Sequence, residues 1–103
     1  MSWINTRISN IVRPTLEDLD KDKFWYNHNT QGWYYEVGRE HQYAVGEDSW
    51  WHDIAEVVDK GYDYSNKYGW FCTFAVPVEE YMKKYPWLAP AIKTEVAQLE
   101  VLV

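Results

Sequence analysis

Gly69-Trp70-Phe71-Cys72-Thr73-Phe74-Ala75-Val76 is the stretch on which the fold of this 103-residue chain turns. Both of its alternating sets, Trp70/Cys72/Phe74 and Phe71/Thr73/Ala75, lack charge. A strand with one wet face shows one polar set, so this run predicts a strand that needs cover on both sides. Directly after it, Pro77 suits the first turn of a helix, where a missing N–H costs nothing. Val78, Tyr81, Met82 and Tyr85 follow at i, i+3, i+4, i+7, and Pro86 stops the run. From Pro90 onward, Ile92, Val96, Leu99 and Val103 predict a last helix, although Ala97, Leu99, Val101 and Val103 also alternate as strand residues do.

N-terminal to the uncharged run, Ser49 reads as the cap of a helix over 49–60. Glu47 and Asp48 complement its positive end, Trp51, Ile54, Ala55 and Val58 form its apolar stripe, and Gly61 offers a left-handed exit. His52, Asp53, Glu56, Asp59 and Lys60 make the opposite, polar face. Between Gly32 and Gly46 the period drops to two. Residues 33–37 and 41–45, joined by Gly38-Arg39-Glu40, predict a β-hairpin with Trp33, Tyr35 and Val37 facing Val45, Tyr43 and His41; a two-residue Gly38-Arg39 turn would instead set Glu36 opposite His41. Thr15 caps a short acidic helix over 16–24 with Leu16 and Leu19 inward, and residues 4–12 carry a first helix or one side of a strand. These pieces predict one α+β domain over 1–103, an antiparallel sheet of at least three strands with helices packed on one face.

Seven Trp, nine Tyr and three Phe make nineteen aromatic residues, fifteen of them between Phe24 and Phe74. Buried at about 200 Å² each they would supply roughly 3,800 Å², about a third of what one core of this size encloses. A surplus at the surface follows, and Tyr and Trp at a surface favour binding. The formal charge is −6, and residues 15–66 alone carry twelve acids against four bases. That field disfavours direct contact with nucleic acid or an anionic membrane and favours a basic protein partner. Cys72, the single cysteine, excludes an intramolecular disulfide and sits in an apolar run as an inert thiol. With no signal-like or membrane-spanning run in the sequence, a cytoplasmic location is expected.

No motif announces catalysis. Asp18-Leu19-Asp20-Lys21-Asp22 spaces carboxylates as a calcium loop begins, but Lys23 and Asn29 stand where Gly and a bidentate Glu belong. His28, His41 and His52 lack the spacing of a zinc site, and neither a G-x-S-x-G elbow nor a phosphate-binding glycine motif occurs. No metal, cofactor or catalytic residue is therefore expected. Residues 24–33 and 62–68 mix rings with Asn, Gln, Ser and Asp in what read as loops, the composition of protein-binding surfaces. The expected contact residues are Trp25, Tyr26, Trp33, Tyr35, Tyr43, Tyr62 and Tyr64, rimmed by Asp18, Asp20, Asp22, Asp53 and Glu56. The reading is a non-enzymatic binder of a basic protein. Its sharper form is a blocker of a nucleic-acid-binding protein, with carboxylates in place of phosphates, of the kind phages and mobile elements carry. A carbohydrate or small-ligand module using an aromatic platform, and a subunit of a homo-oligomeric assembly, are the alternatives.

Overall fold

The computed structural model describes residues 14–44 and 49–102. The helix expected over 4–12, the far end of the expected hairpin at Val45 and the acidic pair Glu47-Asp48 lie outside those residues. Two compact units are present: Lys23–Val78, and a second that joins the stretch up to Asp22 with Glu79 onward.

Among the described residues the first unit is a four-stranded antiparallel sheet. Its strands are β1 (Phe24–Asn27), β2 (Gly32–His41), β3 (Glu56–Ser65) and β4 (Gly69–Pro77), in the order β1-β2-β4-β3. The uncharged run is β4, an inner strand. Cys72, Phe74 and Val76 on one side and Thr73 and Ala75 on the other are all buried, so both faces are covered as expected. The Cys72 thiol is wholly enclosed and donates to the Trp70 carbonyl at 3.3 Å. At one end of the sheet the two edge strands meet, for Asn27 Nδ2 of β1 donates to Glu56 Oε2 of β3 at 3.0 Å.

Several expectations are overturned. The hairpin across Gly38-Arg39-Glu40 does not form: β2 runs through Gly38 as one ten-residue strand, and Trp33, Tyr34 and Tyr35 pair with Tyr26, Trp25 and Phe24. A one-residue bulge between Glu36 and Gly38 sets Gly38 opposite Phe74. There a β-carbon on Gly38 would stand 3.0 Å from Trp51 Cζ2, so this glycine is a seat for an indole and not a turn. The segment expected to loop from Phe24 to Trp33 is instead a hairpin.

The helix over 49–60 does not form either. Hydrogen bonds from His52 N to Ser49 O (3.1 Å) and from Ala55 N to Trp51 O (2.9 Å) make a single turn, and β3 begins at Glu56. Trp51 is buried with its ring 5.6 Å from Phe74, while Ile54, its supposed neighbour on an apolar stripe, is exposed. The β-branched pair Val57-Val58 and the hydrogen bonds offered by β4 outweigh a weak helical pattern. His52 and Glu56 therefore share no helix face. Gly61 lies within β3 and takes no left-handed exit; among the described glycines only Gly69 has positive φ.

In the second unit the acidic helix over 16–24 is replaced by two single 3-10 turns, Leu16–Asp18 and Lys21–Lys23, with Leu16 exposed and not inward. Thr15 does stand at the N-cap of the first turn, where the Asp18 carboxylate reaches back to it: Thr15 N–H donates to Asp18 Oδ2 at 2.7 Å and the Thr15 hydroxyl donates to the same oxygen at 3.2 Å. Helix α1 (Val78–Lys84) starts after Pro77 with Glu79 and Glu80 in its first turn and Lys83 and Lys84 in its last, the arrangement its dipole favours. A 3-10 turn over Pro86–Leu88 follows, then helix α2 (Ala89–Leu102), so the C-terminal segment is helical. Leu88 and Ile92 are buried, and Trp87 Nε1 donates to the Pro14 carbonyl at 2.7 Å.

Candidate functional site: an aromatic end of the sheet

The β3–β4 turn is set by two residues. Ser65 Oγ accepts the N–H groups of Lys67 (3.3 Å) and Tyr68 (3.2 Å), and Gly69 re-enters the ladder at φ +78, a conformation that side chains resist. Ser65 thus pairs with Gly69, and Tyr64 is left opposite Trp70. Beyond β2 the chain continues beside this turn: Gln42 N donates to Trp70 O (2.8 Å) and Tyr43 N to Tyr68 O (2.9 Å). The ring of Tyr43 covers Gly69, where an added β-carbon would meet it at 2.9 Å.

Those backbone contacts bring six rings to this end of the strands in two groups, for Trp70 and Phe71 are consecutive in β4 and face opposite sides of the sheet, Trp70 with Tyr64 and Phe71 with His41. Tyr64 and Trp70 have centroids 5.0 Å apart with planes inclined at 54°. His41 sits 5.3 Å from Phe71 and 6.1 Å from Tyr68, and its Nδ1 lies 3.2 Å from the Gly69 carbonyl, to which it donates in the matching tautomer. Tyr43 is 72% exposed, Tyr64 59%, Tyr68 39% and Trp70 38%. No other part of the described sheet unit shows so many large rings to solvent. Two cations of the chain rest on this cluster: Lys67 Nζ is 5.1 Å from the Tyr68 centroid, and the Arg39 guanidinium carbon is 4.9 Å from that of Phe71. Arg39 Nη1 also reaches Asp59 Oδ2 at 3.5 Å and donates to the buried Thr73 hydroxyl, tying β2, β4 and β3 together.

Of the expected contact residues, Tyr43 and Tyr64 belong to this cluster, and Tyr62 lies on the same strand as Tyr64. Trp25, Tyr26 and Trp33 stand on the β1–β2 ribbon, each half-buried, with Tyr26 5.4 Å from Trp33 and 4.8 Å from the exposed His28. The indole N–H groups of Trp25 and Trp33 are enclosed with no acceptor among the described residues. Tyr35 is buried edge-on to Phe24 at 4.9 Å and offers no ring to solvent.

The expected acidic rim divides between the two units. Asp53 is exposed in the turn before β3, and Glu56 holds Asn27 across the sheet edges. Asp18 caps its own turn, Asp20 Oδ1 accepts the Asp22 N–H at 2.9 Å, and all three aspartates belong to the second unit. Among the described residues no three His, Cys, Asp or Glu side chains converge as a metal would require, and no helix is long and apolar enough to cross a membrane.

Tyr68, inside the 62–68 segment, and Trp70 were not among the expected contact residues. Trp70 reads as part of a strand covered on both sides, yet it stands at the strand's exposed first turn. The signal lay in Ser65 and Gly69, which define a tight turn and so place the residues just inside it at the end of the sheet. No family model, curated protein or solved structure matches this chain.

Proposed function

We propose that this chain is a non-enzymatic protein-binding domain that docks through the aromatic end of its sheet, with Tyr43, Tyr64, Tyr68 and Trp70 as anchors, onto a partner carrying a basic surface. The exposure of four large rings at one end of the strands carries the reading. Tyr and Trp supply large, stiff contact area at low entropic cost and dominate binding hot spots. A monomer gains nothing from leaving such a group in water. The sheet unit's eight acids against four bases supply a field that draws a cationic partner in.

Phosphate mimicry is less well supported than aromatic anchoring. A mimic needs carboxylates held free in a row, whereas Asp59 engages Arg39 and Glu56 engages Asn27. A sugar platform wants coplanar rings, and Tyr64 and Trp70 are inclined at 54°.

The test is capture from an extract by the intact chain and by a Tyr64→Ser/Trp70→Ser variant, followed by association kinetics with the captured protein. The variant loses the partner, and the wild-type association rate falls as salt rises. Retention of the partner by the variant would overturn the reading.

A further inference from the structure

We infer that helix α2 pairs, antiparallel, with the α2 helix of a second copy of this chain. The helix, Ala89–Leu102, has two contrasting faces. On one, Ile92 is buried and Val96 and Leu99 are half-buried, so this stripe serves the chain's own core. On the opposite face Pro90, Thr94, Ala97 and Val101 fall in one row along the helix axis, all of them exposed and none of them charged. A surface helix ordinarily turns its charges to water on that side. Here the hydroxyl of Thr94 donates to the Pro90 carbonyl at 3.0 Å, so even the one polar side chain of the row has its donor satisfied within the helix. Val101 is 84% exposed, more than any other large apolar side chain described. A charge-free row rimmed by charged residues is the pattern of an interface.

The rim selects the occupant. Lys93 and Glu100, both exposed, lie two turns apart on one flank of the row, and Ala91 and Gln98 make the other flank. Let two copies lie antiparallel with Thr94 opposite Ala97 of the second copy and Pro90 opposite its Val101. Lys93 of each copy then faces Glu100 of the other, and the two-fold axis makes that ion pair twice. A parallel alignment sets Lys93 beside Gln98 and gains no ion pair. The face is therefore its own complement in one direction only.

The experiment is sedimentation equilibrium of the full chain over roughly a hundredfold range of concentration. The samples are the wild type, Lys93→Glu, Glu100→Lys, an equimolar mixture of those two variants, and the double variant Lys93→Glu/Glu100→Lys. Wild type passes from monomer to dimer as concentration rises. Each single variant sets like charges against each other at both contacts and dimerises roughly tenfold more weakly. In the mixture one copy carries two acids and the other two bases, so the heterodimer regains wild-type affinity. The double variant, which only exchanges the members of the pair, regains it too. Recovery on mixing also separates lost pairing from lost folding. A wild-type chain that stays monomeric throughout overturns the assignment and leaves the face to a partner of different sequence. Single variants that dimerise as well alone as when mixed overturn it too, and place the contact between copies elsewhere.

Discussion

The indole of Trp51 lies against Gly38 so closely that a β-carbon there would stand 3.0 Å from Cζ2 and 3.5 Å from Cη2. The contact joins the turn before β3 to the middle of β2, and Phe74 of β4 completes it. Trp51 is buried and hemmed by Phe74, so it has little room to retreat. Gly38→Ala is expected to destabilise by about 1 kcal/mol and Gly38→Val by about 2–3 kcal/mol, as overpacked cores do. Trp51→Ala removes the ring itself and costs about 3–5 kcal/mol. Urea unfolding measures all three; an unchanged midpoint for Gly38→Val would show that the indole moves aside freely.

Both hairpins close with the same device. Asn27 Oδ1 accepts the N–H groups of Asn29 (2.9 Å) and Thr30 (3.2 Å), as Ser65 does in the second turn, and Gln31 re-enters at φ +57 where the second turn has Gly69. Substitutions at the two re-entry sites therefore have opposite signs. Gln31→Gly relieves a left-handed side chain and stabilises by up to about 1 kcal/mol, whereas Gly69→Ala loses more than about 1 kcal/mol because the methyl also strikes Tyr43. Thermal unfolding of the pair checks the signs.

Thr73 is buried and its hydroxyl accepts from Arg39. Arg39→Met strands that hydroxyl, at about 1–3 kcal/mol, and Thr73→Val costs less because Arg39 is partly exposed and keeps Asp59. The double variant should be no worse than Arg39→Met alone. Asp59→Asn, which weakens only a half-exposed ion pair, should change stability by less than about 1 kcal/mol. A double-mutant cycle by chemical denaturation reads the coupling; additivity would mean Arg39 and Thr73 act separately.

Asn27 has two duties, as acceptor for its own turn and as donor to Glu56 across the sheet edges. Asn27→Ala should cost more than Glu56→Ala, about 1–2 against about 0.5–1 kcal/mol. Hydrogen exchange should show Glu56→Ala loosening the start of β3 while the β1–β2 turn keeps its protection. Equal losses in both regions would contradict the separation of roles.

Tyr64 and Trp70 are exposed, so their loss should leave the fold intact. Tyr64→Ser/Trp70→Ser is expected to shift stability by about 1 kcal/mol or less, the cross-strand contribution of one ring pair. Circular dichroism on heating checks it. A large loss would mark the pair as structural and weaken its claim as a docking face.

Local rules settled what local chemistry can settle. The charge-free alternation of 69–76 specified a strand covered on both faces and Pro77 marked where a helix could begin, while the residues from Pro90 onward matched both a helical stripe through Ile92, Val96 and Leu99 and a strand alternation, and form a helix. Each depends on neighbours a few residues away, through pleat, fixed φ or helical pitch. Tertiary structure decided the rest. Whether Gly38 turns or continues depends on Trp51 arriving thirteen positions later, and whether 56–65 coils or extends depends on the free edge of β4. Trp51, Ile54, Ala55 and Val58 matched a helix by spacing, but a match of spacing is a small bias beside a full ladder of interstrand hydrogen bonds. The aromatic end was half legible: Tyr43 and Tyr64 were recognisable as candidates, while Trp70 became one only once bulges in β3 set the register that places it opposite Tyr64. Register is a property of two strands, and no single stretch of chain contains it.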